Sequence, residues 1–177
     1  MLGFVASFLP EQSSRSLVII GAARIEEKTK DILAVVAPGF QELGSHSRRV
    51  ELLVALGIVQ SEMALCLKRV SEIRNYFAHT SGLASLSDAA ISDKVQLLFG
   101  GMEKCNVNLA VSSDSLFNGI IAKNGLPLQS VPMTWQNPDT KKYMVSIIML
   151  ISYLVVVRNN MPPRHTPVPA SDWFDAK

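Results

Sequence analysis

The stretch SEMALCLKRVSEIRNYFAHTSG, Ser61 to Gly82, decides how the chain is read. Met63, Cys66, Leu67, Val70, Ile73 and Phe77 recur three or four residues apart, while Lys68, Arg69 and Glu72 fall mostly away from them. That is the period of a helix with one buried face, and a strand cannot satisfy it. Thr80, Ser81 and Gly82 supply the stop. The last turns set Arg74, Asn75 and His79 beside Tyr76 and Phe77, so the segment that fixes the fold class also holds the one local constellation with chemical content.

The flanking segments keep the same period. Val18, Ala22, Ile25, Ile32 and Val36 outline a first long helix after Ser13-Ser14, ended by Pro38-Gly39. Ser47 is placed to cap a shorter helix, RRVELLVALG, that stops at Gly57. Ser87 or Asp88 opens a fourth helix to Phe99, with Gly100-Gly101 as its stop. Residues 102–136 lack a clean period: CNVNLAVSS reads as a strand or irregular turn, DSLFNGIIAKNG as a short helix, and LPLQSVPMTWQ as loop. Asn137-Pro138-Asp139 is a helix start, with a capping amide, a proline in the first turn and a carboxylate at the positive end of the dipole. The last helix runs to about Asn159. Its apolar run MVSIIMLISYLVVV has 14 residues, too few to cross a bilayer, and reads as a core helix. Pro-rich residues 161–177 form an extended tail in which Trp173 and Phe174 could dock on the same or a neighbouring subunit. The expectation is an all-α, single-domain helical bundle over residues 1–160, with an irregular 102–136 segment and that C-terminal tail.

A chain of 177 residues can bury one core. With 48% hydrophobic and only 18% charged residues it is not a disordered chain, and it has apolar surface to cover, which points to a homodimer. Lys and Arg outnumber Asp and Glu by only 17 to 15, and no helix is rich in Arg, Lys, Asn and Gln, so direct specific DNA binding is not expected. Cys66 and Cys105 read as buried free thiols in a reducing compartment. MLGFVASFLPEQ lacks the basic start and cleavage pattern of a signal peptide, which makes the expected location cytoplasmic, without a membrane.

Phosphate loops, dinucleotide fingerprints, HExxH, CxxC and GxSxG are all missing from the sequence, and His46, His79 and His165 are too scattered for a metal centre. No cofactor or metal is expected. Arg74, Asn75 and His79 are the candidate catalytic residues: histidine could take the proton of an RNA 2′-hydroxyl, arginine could fork onto phosphate, and asparagine could fix the geometry. Five residues of helix turn through roughly 500°, which leaves Arg74 and His79 about 140° apart. They converge only if the helix ends near Ala78 or if two copies meet. A purely structural alternative is available. Arg74, beside the buried stripe, would pair with Glu27 or Asp31 of the first helix, and His79 would suit the negative end of its own helix. Arg48, Arg49 and His46 before the second helix are candidate anion-binding residues, with Tyr76 a further binding candidate, although adjacent arginines are more often a solvated face.

Two blocks together, LGSHSRRVELLVALGIV (Leu43 to Val59) and IRNYFAH (Ile73 to His79), resemble the mannitol operon repressor family of bacterial all-helical proteins. Members carry an LGS-aromatic-S-x-R block leading into an ALGLI-like helix, then an IRNxFAH helix end. Leu43, Gly44, Ser45, Ser47, Arg49, Ala55, Leu56, Gly57 and Ile58 match the first block, and all of the second matches with Tyr76 at its free position. Arg15 resembles a family arginine near the start. The resemblance covers roughly Phe8 to Leu98; His46 stands where an aromatic is usual and Arg48 where a small residue is. The arginine and histidine spacing is also similar to the HEPN superfamily of helical nucleotide-binding proteins and ribonucleases, in which such a pair forms a site across a dimer. These resemblances imply a dimeric regulator acting through a protein or nucleic-acid partner. The alternatives are a metal-independent endoribonuclease of the toxin or defence type, cutting RNA with Arg74 and His79, and a structural dimer without catalysis.

Overall fold

A computed structural model describes residues 13–40, 44–80, 84–105, 113–123 and 131–161. Six helices follow in order: α1 Ser14–Val36, α2 His46–Ala55, α3 Ser61–His79, α4 Ala89–Lys104, α5 Ser113–Lys123 and α6 Pro138–Asn159, with a 3-10 turn at Met133–Gln136 before α6. Among the described residues there is no strand, and the fold is the expected all-α bundle. CNVNLAVSS, apart from Cys105 and Ser113, falls outside the described residues, as do His165, Trp173 and Phe174.

α3 and α6 each pack against both α1 and α4, which makes these four the frame; α2 lies on α1 and α3, and α5 on α6. α6 begins as its sequence signature requires, with the Asn137 side chain accepting from the N–H groups of Asp139 at 2.9 Å and Thr140 at 3.4 Å. The Asp139 carboxylate in turn accepts from Ser92 at 2.9 Å and Gln96 at 2.7 Å, tying the start of α6 to α4. The helix has 22 residues, longer than its apolar run, and is long and apolar enough to cross a membrane; 56% of its most apolar window is nevertheless buried inside the bundle. Gly21 lets α1 approach it, since a methyl there would sit 3.2 Å from Tyr143 Oη and 3.3 Å from Ile147 Cγ2. Tyr143 donates from its hydroxyl to the Val18 carbonyl at 3.3 Å, and full burial pushes its phenol far above the ordinary range.

Three local expectations are corrected. Ser45, not Ser47, caps α2, two residues earlier than expected: Gly44, at φ +43°, turns the chain just before it, and the Ser45 hydroxyl accepts from the Arg48 N–H at 3.4 Å. α4 runs through Gly100-Gly101 to Lys104, because Gly101 is where the helix crosses α3 over Cys66 and its missing side chain is a packing requirement. Met133–Gln136 is a 3-10 turn that buries Trp135, where proline content alone reads as loop.

Candidate functional site: a cleft between α1, α2 and α3

α2 starts against the middle of α1 and the C-terminal half of α3, and the three helices enclose a cleft of about 290 Å³. Its floor is apolar, from Ala22, Ile25 and Val70. Its rim is polar: Ser45, His46 and Ser47 from the start of α2, Ser71, Arg74 and Asn75 from α3, and Glu26 from α1. Both sequence blocks thus contribute to one cleft, a juxtaposition that spacing along the chain could not show.

The two arginines near it have opposite roles. Arg49 is 3% exposed, donates from Nη1 to the Gly44 carbonyl at 2.9 Å, and pairs through Nη2 with the Glu26 carboxylate. Arg49 is buried while its partner Glu26 is partly exposed, and the expected solvated face is confined to Arg48, which is exposed. Arg74 is exposed and donates from Nη1 to Asn75 Oδ1 at 3.1 Å. Its expected partners are engaged elsewhere, Glu27 with Arg24 at 2.8 Å and Asp31 with Lys28 at 2.7 Å. The physical reason is the level at which α1 and α3 cross: Ala22, Ile25 and Glu26 face the cleft, and Glu27 lies about 100° further round α1. The carboxylate that does pair across these helices is Glu26, with Arg49 and not Arg74, and the signal for it is its spacing four residues after Ala22 and three before the buried Thr29.

His46 is mostly buried, and its Nδ1 has no hydrogen-bond partner among the described residues. Burial pushes its pKa down to about 4; the Glu26 carboxylate opposes this and Arg49 adds to it. At neutral pH the imidazole is therefore uncharged. Arg74 is the cation at the rim, and the first turn of α2 adds N–H groups at the positive end of a helix dipole. Such a set offers donors suited to an anionic group, with hydroxyls and an amide for further hydrogen bonds, beside a Glu26 carboxylate already paired to Arg49.

His79 and Tyr76 do not line the cleft. α3 ends at His79, close to the expected end at Ala78, yet the exposed His79 does not join Arg74 at the cleft. Tyr76 is half-buried and stands edge-on to Phe77, ring centroids 5.8 Å apart. The end of α3 is capped from α1, where Arg15 donates to the Thr80 carbonyl, a cation at the negative end of a helix dipole. The chain matches no known protein family, no curated protein and no solved structure.

Proposed function

We propose that this chain is a bacterial regulatory protein of the mannitol-operon-repressor type, a dimeric helical module of the cytoplasm that acts through a protein or nucleic-acid partner. The observation that carries the reading is the meeting of the two resembling blocks at one cleft, with Ser45, His46 and Ser47 from the first and Arg74 and Asn75 from the second. Arg74 and Asn75 are exposed and bond to each other, so neither is committed to the core. Their polar groups are placed to meet an anionic group on a partner, where charge-assisted hydrogen bonds from a guanidinium give both affinity and orientation. The free thiols Cys66 and Cys105 fit a reducing compartment. A net charge of +2 supplies no stripe for reading duplex DNA directly.

The test is made in the organism of origin. Deleting the gene is expected to raise the transcripts of one or a few operons, and wild type is expected to restore them. An Arg74→Ala, Asn75→Ala double variant at equal protein level should fail to restore them. Unchanged transcripts on deletion, or full rescue by the variant, would remove the basis for this reading.

A further inference from the structure

We propose that the groove between α3 and α4 is the seam at which a second copy of this chain docks, across a two-fold axis. The inference rests on the dimeric part of the reading above and names the surface that part needs. The groove holds about 470 Å³. Leu65 from α3 and Leu97 from α4 stand on its sides, 54% and 55% exposed, so two large apolar side chains find no cover within their own chain. Its floor is the backbone of Gly100 and Gly101, with the Arg69 guanidinium beside Gly101. A methyl on Gly101 would lie 2.7 Å from Cys66 Sγ, whereas one on Gly100 would meet nothing within 4 Å, so the groove has room directly above the helix surface.

Knobs and a hole thus occupy one surface. A two-fold axis resolves this, because residue i of one copy then meets residue j of the other while j meets i: each copy's leucines can enter the other's glycine floor. The charges argue for the same occupant. The groove carries Glu62 together with Arg69 and Lys104, and Arg69 already donates to the Leu97 carbonyl at 2.8 Å. Among the described residues neither Glu62 nor Lys104 forms an ion pair within the chain. A uniformly acidic or basic peptide would be repelled by one half of this set. A second copy presents both signs in return, Glu62 against Lys104 and Lys104 against Glu62. The chain's low charged fraction, 18%, is what a surface partly reserved for such a contact produces. The seam leaves the cleft at Arg74 open, since that cleft lies on the α1 and α2 side of α3.

Sedimentation velocity on the full chain tests the seam. Wild type is expected to sediment as a dimer between about 10 and 100 μM, the range in which micromolar association registers. Leu97→Asp, at an exposed position, should sediment as a monomer with an unchanged circular dichroism spectrum. Glu62→Lys and Lys104→Glu should each weaken the dimer several-fold, and mixing these two variants should restore it, because each then supplies the sign the other lost. A wild type that stays monomeric, a dimer that survives Leu97→Asp, or a mixture that stays as weak as its components would each overturn the proposal. A monomeric chain that still controls transcripts would sink the seam and leave the regulatory reading standing. A dimer through this seam with transcripts unchanged on deletion would do the reverse.

Discussion

Arg74 lines the cleft and Arg49 is buried next to it, and their environments give opposite predictions for their removal. Arg49 is buried against Glu26, so Glu26→Ala leaves a guanidinium in the interior without its counter-charge. We expect a loss of about 2 to 3 kcal/mol in urea unfolding for Glu26→Ala, and a smaller one for Arg49→Met, which removes the buried charge itself and keeps much of the volume. Arg74→Ala, by contrast, should stay within about 0.5 kcal/mol of wild type, as exposed positions do. A loss of several kcal/mol at Arg74 would return it to the buried-pair role that spacing alone implied. The sequence showed that a basic residue beside an apolar stripe needs a partner. Which arginine is buried depends on the level at which α1, α2 and α3 cross, and periodicity carries no record of that. His46 adds a pH dependence. Its pKa is about 4 in the fold against 6.5 for the free side chain, so between those values the unfolded chain binds the proton first. Stability from this residue is complete above pH 6.5 and falls as the pH drops toward 4, by up to about 3 kcal/mol. Thermal melts from pH 7 to pH 5, above the main carboxylate range, should show that slope in wild type and a flatter one in His46→Phe. Equal slopes would place the imidazole in water.

At the scale of elements, α4 is where the sequence misleads and the packing explains why. A Gly-Gly pair after an apolar period is a sound stop signal, as Gly57 at φ +69° demonstrates for α2. In α4 the pair instead serves a helix crossing, and only the Cys66 side chain opposite distinguishes the two cases. The adjacent glycines should therefore respond with opposite signs. Gly101→Ala drives a methyl to within 2.7 Å of Cys66 Sγ and 3.3 Å of Arg69 Nη1. Overpacking of that kind costs about 1 to 3 kcal/mol. Gly100→Ala meets no neighbour in the chain and removes a mid-helix glycine, which should stabilise by about 0.5 to 1 kcal/mol. Both are to be measured at a concentration low enough to keep the chain monomeric. Cys66→Ala should recover part of the Gly101→Ala loss, as contacting sites are not additive. The same sulfur is held inert: burial, and next Cys105, push the Cys66 thiol up to about 11. α6 was the easier case, because its cap signals are local and report on nothing beyond one turn.

For the whole molecule, the class of fold was legible because helical periods with glycine, proline and cap signals between them account for most of the chain outside 102–136. The cleft was not legible, since it joins residues of three helices, whereas the separation of Arg74 from His79 was, because five residues of regular helix turn through roughly 500°. Leu65, Glu72 and His79 lie seven residues apart on one line of α3, and the Glu72 ion pair with Lys94 at 2.9 Å puts that line on the α4 side. Arg74 lines the cleft with α1 and α2 instead. A two-fold seam along α3 and α4 would turn each His79 line toward the partner and leave each Arg74 facing away from it. Metal-independent RNA cleavage needs a base within hydrogen-bond reach, about 3 Å, of the 2′-hydroxyl while the cation holds the same phosphate. Wild type incubated with single-stranded RNA in EDTA is accordingly expected to leave it intact on a denaturing gel. Cleavage that disappears in both Arg74→Ala and His79→Ala, and returns to about a quarter of its wild-type level when the two are mixed, would demonstrate a composite site shared between copies. The same result would place the dimer seam at RNYFAH and away from Leu97.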